Sequence, residues 1–210
     1  MVALRRIAPG IMIMSILISA CADKGDIVTP TEHGQNVVDG ILTPWNGETG
    51  WSVRVFPGGI GSSAVDTHGH FRVVLSQPPD SILERSTNSS WSFSDPNVRL
   101  LSMIYWGIYP PNSPFPDRGA SLSNKNWNHD PIPHAGDFVV HYQYYDREVN
   151  IAGSDTSFNS DSTYRVIHMR NFHLVKGWNR VVQVVIQTTD SSEVWEDRST
   201  ERSQARWFWL

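Results

Sequence analysis

The stretch Thr163-Tyr-Arg-Val-Ile-His-Met-Arg-Asn-Phe-His-Leu174, Val175-Lys176-Gly177, Trp178-Asn-Arg-Val-Val-Gln-Val-Val-Ile-Gln-Thr-Thr189 decides the fold class. Both long runs are rich in Val, Ile, Tyr and Trp, whose branched or flat side chains suit a pleated, half-buried surface. Lys176-Gly177 between them is short, and glycine supplies the positive φ that a tight strand connection needs. The same pattern extends outward. Trp51, Val53 and Val55 alternate with Ser52, Arg54 and Phe56, and Phe71, Val73 and Leu75 alternate after the turn residues Asp66-Thr67-His68-Gly69-His70. Phe138–Tyr145 reads as a strand that Asp146-Arg147 turns into Glu148–Ala152. Val98–Trp106 is apolar enough for a strand buried on both faces, and Arg206–Leu210 for a last strand. Nowhere does an apolar pattern at helical spacing exceed two turns. The expected fold is all-β, an antiparallel β-sandwich or sandwiches.

Polar and proline-rich segments divide the chain. Residues 86–97 (Ser-Thr-Asn-Ser-Ser-Trp-Ser-Phe-Ser-Asp-Pro-Asn) make a polar connector and the best internal boundary, with one module at 37–90 and a second at 96–210. One continuous sandwich with a loop insertion fits the same pattern. Pro110, Pro111, Pro114, Pro116, Pro131 and Pro133 crowd residues 107–137, a density no regular helix survives, so a long loop is expected there. Residues 153–162 (Gly-Ser-Asp-Thr-Ser-Phe-Asn-Ser-Asp-Ser) read as a second polar loop.

The N-terminus carries an address. Arg5-Arg6 precede an apolar stretch from Ile7 to Ala20, which has the length of an export signal and is too short to span a bilayer. Leu17-Ile18-Ser19-Ala20-Cys21 resembles the lipobox of bacterial lipoproteins. That resemblance implies cleavage before Cys21, a thioether-linked diacylglycerol on its thiol and acylation, such as palmitate, of the new amino group. It thus implies residues 1–20 as a lipoprotein signal peptide. Residues 21–36, broken by Gly25, Pro30 and Gly34, read as a flexible tether. Several acyl chains hold a protein stably on a membrane. Ala22, not an acidic residue, follows the cysteine, which by sorting rules known in some bacteria points to the outer membrane.

Composition narrows the partners. Cutting twenty residues from 210 leaves 190, and the loss of Arg5 and Arg6 takes the formal charge from −4 to −6. A mildly acidic chain with no basic block argues against nucleic acid. Cys21 is the only cysteine, which excludes an intramolecular disulfide framework and a multi-cysteine metal site. Charged residues make up 18%, below the roughly 25% of ordinary domains, so polar β faces must be built largely from Ser, Thr, Asn and Gln.

The segment Val38–Leu75 resembles the carboxypeptidase-regulatory, transthyretin-like β-sandwich family. The matching features are Gly40-Ile41-Leu42, Ser52-Val53-Arg54-Val55, and Ala64-Val65-Asp66-Thr67-His68-Gly69-His70-Phe71-Arg72-Val73. The resemblance implies that the Asp66-x-x-Gly69-x-Phe71 hairpin is structural. Tyr142–Gly153 and Leu174–Asn179 look like a pattern in uncharacterised bacterial lipoproteins. Neither implies an activity, since such folds host many tasks.

Catalytic motifs are missing: the chain has no Gly-x-Ser-x-Gly elbow, no Ser-x-x-Lys and no second cysteine. An enzyme is not expected. Asp66 with His68 and His70, and His129-Asp130 with His134, have ligand types for a metal, yet both are ordinary turn sequences. Asp155, Asn159 and Asp161 offer oxygens without the spacing of a calcium loop. No metal or other cofactor is expected. The aromatic residues remain. Trp106, Tyr109 and Trp127, in or beside the long loop, are the candidate ligand-binding residues, offering flat apolar faces to a sugar ring or a partner protein. The expected role is that of a lipid-anchored envelope protein with a non-catalytic binding or scaffold domain. Its partners would be the membrane, through Cys21, and an envelope protein. The alternative is a carbohydrate-binding surface lipoprotein that takes a polysaccharide on its loop aromatics.

Overall fold

A computed structural model describes residues 36–87, 89–102, 104–158, 163–199 and 205–209. Cys21, residues 1–20, expected to be a signal peptide, and all of the expected tether but Asn36 lie outside them. The described chain is all-β and mostly antiparallel: fifteen strands and a single 3₁₀ turn at Asp80–Ile82.

The first half gives β1 (Val37–Thr43), β2 (Ser52–Phe56), β3 (Ser62–Ala64), β4 (His70–Val74), β5 (Glu84–Arg85), β6 (Trp91–Phe93) and β7 (Arg99–Leu101). Next come β8 (Tyr105–Tyr109), β9 (Arg118–Ser123), β10 (Phe138–Tyr145), β11 (Val149–Phe158), β12 (Arg165–Leu174), β13 (Gly177–Thr189), β14 (Ser192–Arg198) and β15 (Arg206–Trp209). Three stretches differ from the sequence expectation. The proline-rich span 107–137 contains β9, because Arg118–Ser123 lies past the last of the four clustered prolines and is free to donate to a ladder. Gly153–Phe158, expected in a loop, continues β11 as the partner of Arg165–Arg170. The apolar run from Val98 to Trp106 is two strands, β7 and β8, which pair with different neighbours.

Two features organise the sheet. The first is β9, which pairs with β8 through Arg118–Ala120 and with β10 through Leu122–Ser123. Along Ala120–Ser123 it also carries β15, which runs on into a parallel pairing with β1, Leu42 opposite Trp207. The second is a long antiparallel ribbon. It runs from Phe138 opposite Val184 to Tyr145 opposite Gly177, then from Val149 opposite Leu174 to Phe158 opposite Arg165. The ribbon turns a corner at Asp146–Glu148 and Val175–Lys176, and β14 fills the angle, antiparallel to β13 and parallel to β12.

Polar side chains hold that corner. Asp146 accepts from the Arg99 backbone N–H at 2.9 Å and pairs with Arg99 Nε and Arg147 Nε, each at 3.1 Å. On the other strand Asn179 accepts from the Val175 N–H at 3.0 Å and donates to the carbonyls of Val175 at 2.8 Å and Gly177 at 3.0 Å.

Strand alternation then sends the two faces to different surroundings. Phe138, Val140, Tyr142 and Tyr144 of β10 and Trp178, Val182 and Val184 of β13 join the main core with Val38, Leu42, Val53, Val55, Phe71, Val73, Trp106, Ile108 and Trp207. The intervening Tyr145 and Val181 face a smaller core of Val98, Leu100, Val149, Ile151 and Leu174. At the centre of the main core Trp106 and Trp207 meet edge-on with centroids 4.9 Å apart, and Phe71 meets Trp207 at 5.2 Å. Gly40 makes room for them, since a Cβ there would lie 2.6 Å from Phe71 Cζ and closer still to the Trp207 indole.

Candidate functional site

Directly opposed residues of paired strands project to the same face of a sheet. The registers opposing Val139 to Gln183, Gln183 to Asp197, Asp197 to Arg170, Arg170 to Gly153 and Gly153 to Trp91 therefore draw one row across six strands. A second row on the same face runs Val185, Trp195, His168, Asp155. This is the face that turns away from the main core. Its first row is polar where strand interiors are usually apolar, and its second carries an indole and an imidazole.

Gln183 is the hub. Its Nε2 lies 3.0 Å from Asp197 Oδ1 and 3.2 Å from His168 Nδ1. An ionised carboxylate only accepts, so the amide must present its NH₂ group there, and His168 Nδ1 must accept from that same group. The His168 proton therefore sits on Nε2. Burial holds this imidazole below its ordinary pKa, and the Arg170 cation works in the same direction against the pull of Asp197. His141 joins from β10: burial lowers its pKa too, opposed by the Asp197 charge and a hydrogen bond with Gln183. Part of the His141 surface is still open to solvent.

Arg170 and Asp197 form a buried ion pair, Nε to Oδ2 at 2.6 Å, with side chains 9% and 2% exposed. The guanidinium also stacks on the Trp91 ring, 3.7 Å from its centroid. Gly153, between them in the row, leaves the space for that contact. Its backbone, at φ +138°, approaches the Ser90 carbonyl so closely that no Cβ would fit. Arg170 Nη1 and the indole N–H groups of Trp91 and Trp127 are buried without a hydrogen-bond partner among the described residues. At the foot of the face Tyr145 Oη donates to Gln143 Oε1 at 2.9 Å, and burial raises the Tyr145 pKa.

The proline-rich segment supplies a wall. Trp127 packs on Trp195 with centroids 5.8 Å apart, and Trp195 lies near-parallel to His168 at 6.4 Å. Lys125 Nζ sits 4.2 Å over the Trp127 ring and is held there by Asp137 at 2.7 Å and Asp130 at 3.2 Å. Burial pushes Asp137 up, but hydrogen bonds from Lys125, the His134 N–H and Asn124 outweigh it and leave the carboxyl below its usual range.

The residues singled out from sequence fare differently. Trp127 is part of this wall. Trp106 is 7% exposed in the main core, enclosed by Phe71, Tyr142 and Trp207, and has no ring face to offer a ligand. Tyr109 is half-buried beneath the Arg54 guanidinium, 4.2 Å from its centroid, and does not meet Trp127 at a shared site. Asp66 Oδ1 accepts from the backbone N–H of His68 at 2.8 Å and of His70 at 2.9 Å, which is turn chemistry. His134 and Asp130 serve the Lys125–Asp137 cluster. Among the described residues no three His, Cys, Asp or Glu side chains stand together as a metal site. Asp155 stands in β11, while Asn159, Asp161 and Cys21 lie outside the described residues.

No family model, curated protein or solved structure matches this chain. The site therefore has to be read from its own chemistry. His141, His168, Arg170, Gln183, Trp195 and Asp197 did not stand out in the sequence reading. A usable signal was Gln183, a lone amide inside Val181-Val182-Gln183-Val184-Val185, where an apolar run on both faces is broken at one position. His168-x-Arg170 and Trp195-x-Asp197 carry the two-residue spacing that puts both members of each pair on one face.

Proposed function

We propose that this chain is a lipid-anchored protein of the bacterial cell envelope, addressed to the outer membrane through Cys21. Its β domain holds a polyhydroxylated ligand, a segment of polysaccharide, without transforming it. The observation that carries the reading is the polar row flanked by indoles. Gln183, His141 and His168 supply hydrogen-bonding groups, the buried Arg170–Asp197 pair holds them in place, and the partly exposed Trp127 supplies flat apolar surface. Hydroxyl groups need paired donors and acceptors, and the C–H face of a sugar ring packs on an aromatic plane. Binding is favoured over turnover by Gln183. It stands between His168 and Asp197, and an amide that donates to both cannot pass a proton from one to the other.

Affinity electrophoresis of the mature protein, in gels each cast with one neutral or acidic polysaccharide, tests the ligand. At least one polysaccharide is expected to retard the protein, and Trp127→Ala or His141→Ala to restore free migration. Free migration of the wild-type protein in every gel would remove the carbohydrate and leave a scaffold role. Mass spectrometry of the N-terminal peptide tests the address, which an unmodified Cys21 would overturn.

A further inference from the structure

Four stretches of the chain carry no charged residue. Residues 36–38, 55–65, 73–79 and 100–116 contain no Asp, Glu, Lys or Arg. Parts of all four stretches meet where β1 begins. Phe56, the last residue of β2, is paired with Tyr105, the first of β8, and the two are 59% and 60% exposed. Val37, the first residue of β1, is paired with Val74, the last of β4, at 37% and 54%.

Hydrogen bonds tie the two pairs together. The Ser76 N–H donates to the Ile60 carbonyl at 2.7 Å, and the Ser76 hydroxyl donates to the same carbonyl at 2.9 Å and to that of Gly59 at 3.2 Å. The Leu75 N–H donates to the carbonyl of Asn36. The turn after Phe56, the end of β4 and the entry of the chain into β1 therefore lie together at one end of the domain.

Exposed aromatic and aliphatic side chains at one end of a domain favour association with another apolar phase. The direction of the chain says which phase. Asn36 leads back toward Cys21 through fifteen intervening or terminal residues, 21–35, and a chain of that length spans at most about 50 Å. The chain enters the domain at this end, which the tether keeps within that distance of Cys21. Tyr and other amphipathic rings settle at the headgroup level of a bilayer.

We propose that the end carrying Phe56, Tyr105, Val74 and Val37 rests in the headgroup layer of the membrane that holds the lipid on Cys21. This rests on the lipid-anchor reading above. The consequence is orientation. Trp178 donates its indole N–H to the Ser76 carbonyl at 3.0 Å, so β13 starts at this end. Gln183 is five residues further on, roughly 17 Å along the strand, which lifts the polar row clear of the headgroups.

The test uses the lipidated full chain in unilamellar vesicles of phosphatidylethanolamine and phosphatidylglycerol. Lipidation consumes the sole cysteine, so a nitroxide can be attached at one introduced thiol, Gly58→Cys or, on the distant β13–β14 turn, Ser191→Cys. A Cβ at Gly58 meets nothing within 4 Å, so the label is accommodated. Power saturation should find position 58 relaxed more by oxygen than by a water-soluble nickel chelate, and position 191 the reverse. Phe56→Ser with Tyr105→Ser should give position 58 the behaviour of 191 without changing thermal unfolding. Position 58 as open to the chelate as 191, in vesicles whose protein carries lipid on Cys21, would overturn the docking alone. A chain with an unmodified Cys21 that fails to float with the vesicles would overturn the anchor and the docking together.

Discussion

The two faces of β10 and β13 were built by the same strand alternation and do opposite things. On one, Val140, Tyr142, Val182 and Val184 enter a core whose centre is Trp106 against Trp207. On the other, His141 and Gln183 open onto Asp197, Arg170 and His168. Each region depends on a glycine that lets bulk close in, Gly40 beneath the Trp207 indole and Gly153 beside the Arg170–Trp91 stack. The regions differ in how they respond to damage. The apolar core loses energy in proportion to the contacts removed, whereas the polar row fails when one partner is taken away and its mate is left charged and dry.

The largest expected effects set that contrast. Trp207→Ala should lower the unfolding free energy by about 3–5 kcal/mol, the range for emptying a buried aromatic site. Asp197→Ala or Arg170→Ala should each cost about 3–5 kcal/mol, by leaving a buried charge without its partner. The double variant Arg170→Met with Asp197→Leu separates the two mechanisms, since replacing both members of a buried pair with apolar groups is often neutral. Denaturant titrations of Arg170→Met, of Asp197→Leu and of the double form a cycle whose coupling should exceed about 1 kcal/mol. Additive losses would mean that the row is solvated, and the contrast would collapse. Gly40→Ala comes next, at about 1–3 kcal/mol, because the new methyl must displace two packed rings.

Protonation sharpens the comparison from another side. His141 and His168 are both held below the ordinary imidazole value of about 6.5, first by burial. Below about pH 6.5 the unfolded chain therefore binds more protons than the folded one, and stability rises with pH. The contribution of these two groups is full above that value and is lost as pH falls through their lower folded values. Asp137 and Asp146 are also held low, but relative to 3.8, so their contribution disappears only in stronger acid. Unfolding midpoints at pH 7.5 and 5.0 should differ, and His141→Gln with His168→Gln should shrink the difference. A midpoint that does not move between those pH values would mean that neither ring is shielded.

The all-β class was legible because the apolar runs either alternate with a two-residue period or are short and apolar on both faces, and none keeps the helical period. The Asp66–Phe71 turn was equally legible, since the carboxylate and glycine that make it are local to six residues. What local pattern could not supply was pairing. Arg118–Ser123 carries two small residues and a glycine at its start and reads as loop, yet three neighbours make it the junction of the sheet. Trp106 looked available to a ligand because prolines follow it, while its burial depends on Phe71 and Trp207, which reach it only through the sheet. The site escaped for the same reason. His168, Gln183 and Asp197 belong to three strands, and the parallel pairing of β12 with β14 that aligns them has no signature in sequence.

The smallest expected change in stability belongs to His141. It stands on β10 opposite Val181, beyond the end of the β13–β14 ladder, which stops at Val182 opposite Arg198. Its side chain is partly exposed and adds one hydrogen bond, to Gln183, so His141→Ala should change the unfolding free energy at pH 7.5 by about 1 kcal/mol or less. Its effect on a bound ligand should be larger, because the imidazole is more exposed than Gln183 and Asp197. Titration calorimetry with a polysaccharide fragment that retards the wild-type protein should show weakening by about tenfold, the worth of one hydrogen bond to a polar group. Trp127→Ala should weaken the same fragment while leaving the His141 contribution intact, since one supplies a surface and the other a donor. If both substitutions leave affinity unchanged, the polar row is a structural feature of the sheet. Binding would then have to be sought on a different face.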